Sequence, residues 1–291
     1  MNYDCSALVD DLYVQAERLR IGAGVDYEII VGDDASTDVV TVNSNKEACS
    51  RPRCRFVSNA VNYGRAKNRN AMAELSKGDL LLIIDCDAKV CRQNFLASYI
   101  EAAKGNDVVC GGIAAPNSLP SPDVALRYKY ERNARKVRSL EYRVANPYRH
   151  FSTFNVLIRR DVFMEIMFDE KCVEYGYEDA LFGLRLKQRG IHVEHIDNPL
   201  VHVGMDTNGS FVDKCEQAMR TLKRLGADMK SYSHVGRMAL KLKRWHLVWA
   251  VKAWHLMFGR LELANLRGKR PLLFVLKIYK LGYFCRIGGV D

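Results

Sequence analysis

Two aspartates close a short apolar run, Leu80-Leu81-Leu82-Ile83-Ile84-Asp85-Cys86-Asp87. In an extended segment residues i and i+2 point to the same side, so Asp85 and Asp87 can face one ligand while Cys86 faces away. Paired carboxylates repel unless a cation lies beside them. A hard divalent ion, Mg2+ or Mn2+, bridging protein and phosphate oxygens fits this pair; a strand end with solvated acids is the plainer alternative. Asp33-Asp34 follow a second apolar segment, Tyr27-Glu28-Ile29-Ile30-Val31. An aspartate there can accept from a uracil N3–H or from ribose hydroxyls, or can take part in a turn whose side chains cap one another. Arg65, Lys67 and Arg69 start a helical pattern, against the helix dipole. Such a cluster suits a nearby diphosphate as well as a solvated helix face. Glu178-Asp179 open another helix behind Tyr175-Gly176-Tyr177, whose rings offer a stacking surface to a sugar. Acids are favoured at a helix start for dipole reasons alone. Adjacent helical positions lie about 100° apart, which predicts that only one of the two faces a shared pocket.

These residues need a frame that brings them to one side. The run at 80–85 follows the turn signal Lys77-Gly78-Asp79 and reads as a buried strand of a parallel sheet. Further strands are expected at 27–31, 54–57, 107–110, 151–158, 191–196 and 200–203. Helices are expected at 6–20, 38–49 with Ser36 or Thr37 as cap, 65–75, 93–103, 123–138, 161–167 and from 178 to about 189. Alternation of strand and helix implies βαβ units and a doubly wound, mostly parallel sheet, with ligands beyond the carboxyl ends of the strands. Past Asp206 the pattern turns helical and basic. The expected division is an α/β domain over 1–206 and a basic helical appendage over 207–291.

A hydrophobic content of 48% and a charged content of 27% describe a folded soluble protein. The net charge of +10 is unevenly spread: from Arg220 to Asp291, 16 Lys and Arg oppose three acids, so this tail carries +13 and the rest −3. Such a tail suits an anionic lipid surface, an anionic acceptor or a nucleic acid. No aromatic RNA-binding signature or helix-turn-helix pattern accompanies it, so no nucleic acid is expected. Trp245, Trp249 and Trp254 all fall in this tail among Lys and Arg. That is the composition of an interfacial amphipathic helix, or of a helical appendage packed on the core. No uncharged run reaches membrane-spanning length. The nine cysteines have no metal-ligand spacing, and the N-terminus does not resemble a signal peptide. Reduced thiols and a cytoplasmic location, peripheral on the inner face of the cell membrane, are expected.

Taken in order, residues 27–38 (YEIIVGDDASTD), 62–70 (NYGRAKNRN), 80–87 (LLIIDCDA), 151–160 (FSTFNVLIRR) and 174–186 (EYGYEDALFGLRL) resemble the family-2 glycosyltransferases of the GT-A fold. The last segment is similar to the C-terminal part of galactosyltransferase-like and chondroitin-polymerase-like members. The resemblance spans about residues 3–205. It implies inverting transfer of a sugar from a nucleotide diphosphate donor, usually UDP-linked, to a hydroxyl of a glycan or lipid-linked glycan in cell-surface polysaccharide synthesis. Position by position, it implies that Asp34, with Asp33 beside it, contacts uracil and that Arg65 or Arg69 faces the nucleotide. Asp85 would contact ribose, Asp87 would hold the metal, Asp179 would be the general base and Glu178 would bind acceptor or donor sugar. His202 resembles the later histidine that completes the metal site in some members and would tilt the metal from Mg2+ towards Mn2+; a strand-end histidine bonded locally is the alternative. Members of the family begin with a strand and a Pro-x-Tyr-Asn-like turn. Met1-Asn2-Tyr3-Asp4 resembles the end of that turn, so the first strand is expected to be missing, leaving two strand edges and an incomplete uracil pocket. Two rival functions share some of these features: a nucleotidyltransferase acting on a sugar or lipid phosphate, and a non-catalytic basic protein that binds nucleic acid.

Overall fold

The structure, a computed structural model, describes residues 2–149 and 151–288; Met1 of the turn resemblance lies outside them. In chain order the first elements are α1 (Ser6–Ala23), β1 (Ile29–Asp33), α2 (Val39–Ala48), β2 (Cys54–Ser58), α3 (Arg65–Leu75), β3 (Leu80–Ile84) and β4 (Ala88–Lys89). There follow α4 (Phe95–Ala102), β5 (Val108–Cys110), β6 (Ile113–Ala114), α5 (Ala125–Asn133), α6 (Arg135–Arg138), α7 (Leu140–Ala145), β7 (Asn155–Arg159) and α8 (Arg160–Ile166). Then come α9 (Glu178–Gln188), β8 (Glu194–His195), β9 (Leu200–His202), α10 (Asn208–Arg224), α11 (Gly226–Tyr232), α12 (His234–Arg244), α13 (Val248–Arg267) and α14 (Leu273–Arg286). Two units form. The first holds the chain up to Pro116, Arg135–Val173 and Glu178–Gly204; the second holds Asn117–Ala134, Glu174–Tyr177 and the chain from Met205 on.

The first unit is the expected α/β fold. β1 and β2 pair in parallel, β3-β7-β5-β8 form a four-stranded sheet, and β4-β9-β6 form a small third sheet. β7 differs from expectation by running antiparallel to both β3 and β5. Val156, Leu157 and Ile158 are all buried. A continuous apolar run marks a central strand but does not encode its direction. Among the described residues β1 bonds only to β2 and β3 only to β7, so each keeps one edge without a strand partner. One helix serves both cores. Leu8 of α1 joins Phe95, Tyr99, Val109, Phe154 and Leu157, while Cys5 and Val9 pack with Ala48, Ile29 and Val31.

Local signals account for most boundaries. α3 starts and stops where its pattern predicts. α2 is capped by Asp38, which accepts from Val40 N–H at 3.3 Å. Ser36 and Thr37 do not cap it: their hydroxyl oxygens accept from Asn2 N–H and Asn2 Nδ2 instead. The charged stretch 123–138 is not one helix: a 3-10 turn, Pro122–Val124, precedes α5, and the chain breaks again before α6. All nine cysteines are free thiols; Cys5, Cys49, Cys110, Cys172, Cys215 and Cys285 are buried, and Cys86 and Cys91 are exposed.

The second unit packs Leu126 of α5 with Phe211, Val212 and Cys215 of α10, Leu266 of α13, and Leu276 and Tyr279 of α14. α13 is turned inside out for a soluble helix. It buries His255 and Glu262 with Leu266, and it exposes Trp249 (69%), Leu256 (68%), Met257 (69%) and Leu261 (68%).

Candidate active site

The carboxyl end of β3 is the anchor. Asp85 N–H donates to Phe154 O at 3.2 Å, which ties the turn after β3 to the start of β7. The Asp85 carboxylate contacts the Arg69 guanidinium directly, and Arg65 Nη1 stands 3.6 Å from its other oxygen. Burial by itself would raise the Asp85 pKa, but the charge of Arg69, then that of Arg65, outweighs it and holds the carboxyl below its usual range. Arg69 reaches these acids from the second turn of α3. Its guanidinium lies 5.3 Å over the Phe168 ring, and Asn70 fixes Phe168 by bonding both its N–H and its carbonyl.

Arg69 also receives the acids of α9. Its Nη1 lies 3.3 Å from Asp179 Oδ1 and 3.9 Å from Glu178 Oε1. Arg65 Nη1 lies 3.8 Å from the same Glu178 oxygen. The expectation that only one of these neighbours faces a shared site therefore does not hold. Adjacent helical positions still reach one partner because a single long guanidinium, that of Arg69, spans both acids. Asp179 is further held by the Thr153 hydroxyl, by Thr153 N–H at 3.2 Å and by Ser152 Oγ at 3.3 Å. Thr153 and Ser152 lie in a segment that pointed to the family, yet nothing in their types marked them; only the fold sets them against Asp179.

Glu178 is 6% exposed. Burial, then the neighbouring Asp179 carboxylate, raises its pKa against the opposing charges of Arg69 and Arg65. The folded chain therefore holds this proton more tightly than the unfolded chain, and stability falls as pH rises from the ordinary glutamate range of about 4.3 through the raised value. Glu178→Gln removes that loss. Its melting temperature relative to the parent is expected to rise between acidic and neutral pH, with no gap below the ordinary range. Melting curves across that span check this; a variant that falls behind the parent towards neutral pH would show that pairing with Arg65 and Arg69 dominates.

A second pair sits one turn further on. β4 and β9 pair antiparallel with Ala88 opposite His202, and this register sets His202 Nε2 3.0 Å from Asp87 Oδ2. The Phe154 ring meets the imidazole edge-on at 5.5 Å. Asp87 Oδ1 is buried and accepts no hydrogen bond among the described residues. A Cβ at position 204 would lie 2.4 Å from Asp87 Cβ and 2.9 Å from Oδ2, so glycine there gives the carboxylate its room. An unmet carboxylate oxygen, an imidazole and this clearance fit a divalent ion with Mn2+-like ligand tolerance. No group of three or more His, Cys, Asp or Glu able to hold a metal occurs among the described residues. The remaining ligands would have to be substrate oxygens and water, as is usual for ions that bridge phosphates.

Asp33 and Asp34 are engaged with the chain itself. Asp33 accepts from Ser36 N–H at 3.2 Å and Ser58 Oγ at 3.0 Å. Asp34 accepts from Asn59 Nδ2 at 3.0 Å, Tyr63 N–H at 2.8 Å and Gly64 N–H at 2.9 Å. Asp34 thereby folds the loop that delivers α3, and with it Arg65 and Arg69. Gly64 has φ +81°, and a Cβ there would stand 2.9 Å from Val173 O; both features require glycine at the start of α3.

The fold is that of the GT-A glycosyltransferases. A mannosyltransferase from Pyrobaculum calidifontis, PcManGT, solved in complex with GDP-Man and Mn2+, superposes with a TM-score of 0.57 at 14% identity, covering 98% of this chain and 82% of that one. Residues 1–349 of TarS from S. aureus give a TM-score of 0.50 at 16% identity, covering 96% and 87%. The same TarS fragment in complex with UDP-GlcNAc gives 0.50 at 15% identity, with the same coverage. No curated protein sequence matches the chain. The model of glycosyl transferase family 2 matches residues 9–167, more than half of the sequence. The chain belongs to that family and is a glycosyltransferase.

Proposed function

We propose that the protein transfers a sugar, with inversion, from a nucleotide diphosphate donor to a hydroxyl of a glycan or lipid-linked glycan. The observation that carries this reading is the convergence of Asp85, Glu178 and Asp179 on Arg69, beside Arg65, at the carboxyl end of β3. Asp179, oriented by Arg69, Ser152 and Thr153, takes the proton of the acceptor hydroxyl. The freed oxygen bonds to the anomeric carbon as the bond from that carbon to the diphosphate breaks on the opposite face. Arg65 and Arg69 offset the charge gathering on the departing diphosphate. Glu178 binds the acceptor or donor sugar, Asp85 the ribose, and Asp34 with Asp33 the base side of the nucleotide pocket. Asp87 and His202 would hold Mn2+ or Mg2+, which when bound would add positive charge beside the diphosphate. PcManGT with GDP-Man and Mn2+, and TarS with UDP-GlcNAc, support a sugar-nucleotide donor and a divalent ion in general; we take UDP as the carrier. A screen of UDP- and GDP-sugars for donor hydrolysis with each ion tests the reading. Absence of turnover with every donor and ion, from a folded protein that binds none of them, would refute it.

The α13 surface supports a peripheral place on an anionic membrane. Trp245 (61%) after α12 and Phe274 (69%) of α14 are further exposed apolar residues of this unit, and Lys241, Lys243 and Arg244 of α12 and Lys252 and Arg260 of α13 lie among them in the sequence. This combination suits the lipid interface. No described helix is long and apolar enough to cross a membrane. Anionic liposomes are expected to retain the protein at low salt and to release it as salt rises, since exposed charges are screened. Equal recovery with neutral and anionic liposomes would refute the membrane assignment.

A further inference from the structure

The second unit contains a group of cations that the transfer chemistry leaves unused. Arg127 Nε of α5 lies 2.7 Å from Glu131 Oε1, and its Nη1 lies 3.9 Å from Asp206 Oδ2. Lys214 Nζ of α10 lies 2.6 Å from Asp206 Oδ1. Both cations thus have carboxylate partners. Lys280 of α14 has none among the described residues; its ammonium stands 5.4 Å over the Tyr130 ring. Burial would lower its pKa, against which the surrounding Tyr130, Cys215, Tyr177 and Tyr175 raise it above the ordinary lysine value. Removing an ammonium from water without a counter-charge is costly, and no carboxylate pairs with Lys280 among the described residues, although Asp206 and Glu216 act on the neighbouring Cys215. The cluster is open to solvent as well: Tyr130 is 39% exposed, and the Lys214 side chain, 5.4 Å over the Tyr175 ring, is 32% exposed.

The tyrosines are held in place before any ligand arrives. Glu174 pairs with Arg220 at 3.1 Å and with Arg224, and Thr221 Oγ1 donates to Tyr175 O at 3.3 Å. Gly176 has φ +100°, and a Cβ there would come within 2.6 Å of Ala218 Cβ. Tyr177 follows with φ +67°, a left-handed conformation unusual for a bulky residue. Strained backbone of this kind gathers at ligand clamps. Tyr177 is also the residue directly before Glu178.

We propose that Lys280, walled by Tyr130, Tyr175 and Tyr177, binds a phosphodiester carried by the acceptor. An ammonium that has no carboxylate partner among the described residues suits the negative charge of a phosphodiester and supplies charge-assisted donors to its oxygens, and the rings pack against the carbon on either side. The site stands by itself; its assignment to the acceptor rests on the glycosyl-transfer reading.

The test uses the full chain without donor, titrated calorimetrically with diethyl phosphate and, in parallel, with phosphatidylglycerol or phosphatidylcholine vesicles. Lys280→Gln is expected to weaken diethyl phosphate binding roughly 10–100-fold, and Lys280→Arg to retain it. Lys104→Gln, which removes an exposed cation of the first unit, is expected to bind it as the parent does. Tyr130→Ala, at a partly exposed ring, should also weaken binding, so the site stays testable if Lys280→Gln does not fold. Phosphatidylglycerol binding that falls with Lys280→Gln identifies a lipid source; loss confined to diethyl phosphate identifies a soluble one. No saturable binding by the folded parent, or equal affinity in the parent and Lys280→Gln, overturns the site. Diester binding in a protein that transfers no sugar to any diester-bearing acceptor overturns the acceptor role and leaves the site.

Discussion

Asp179→Asn is expected to lose sugar transfer by roughly 10²–10⁴-fold, the usual cost of removing a positioned general base, while nucleotide and metal binding survive. The geometry says why the two separate. Asp179 is held by Arg69, Ser152 and Thr153, whereas the metal pair Asp87 and His202 belongs to a different strand pairing. Asparagine nearly preserves the shape but turns one acceptor into a donor. Whichever way the amide is set, one N–H of Arg69 or Thr153 then faces another N–H. The expected stability loss is about 1–3 kcal/mol, the cost of an unmet donor. If the carboxylate only favoured the helix start, its loss would cost about 0.3–1 kcal/mol and leave turnover nearly intact. Transfer rate, nucleotide affinity and melting temperature, measured on one preparation, separate these outcomes. Near-parent transfer by Asp179→Asn would remove Asp179 as the base.

Asp87→Ala is expected to abolish the metal-dependent part of nucleotide binding with the fold intact. Losing an outer-shell partner of a metal ligand typically costs roughly 10–100-fold in affinity, and losing a ligand itself should exceed that. The fold survives because β4 is held by backbone pairing with β9, and the variant loses only the side-chain contact to His202. Gly204→Ala supplies an independent check. It changes no ligand, yet its Cβ would press on Asp87, so it should weaken the metal effect in the same direction. Nucleotide affinity titrated with and without Mn2+ gives the answer. The same affinity in both conditions for the parent would sink the metal assignment at Asp87.

Much of the site was legible because its pieces are local. An apolar run ending in Asp85-Cys86-Asp87 encodes a strand and its carboxyl end, and the pattern at 65–75 encodes a helix that begins with its cations; both elements form where the pattern places them. Periodicity and turn residues act over a few positions, and those positions are adjacent in the chain. What joins the pieces is not local. Asp179 meets Arg69 across 110 residues, and His202 meets Asp87 across 115. The first contact depends on the fold setting the start of α9 against Arg69 of α3, the second on Ala88 rather than a neighbour standing opposite His202. A one-residue slip would reverse every side chain of that short pairing. The reversed direction of β7 is equally silent in its residues, since a fully buried strand is apolar whichever way it runs. α13 marks the same limit in the second unit: its tryptophans and basic residues are plain in the sequence, but only packing against α14 and α10 decides that His255 and Glu262 turn inward and the apolar residues outward. Composition names the groups a helix carries, and the neighbours it packs against choose which of its faces meets water.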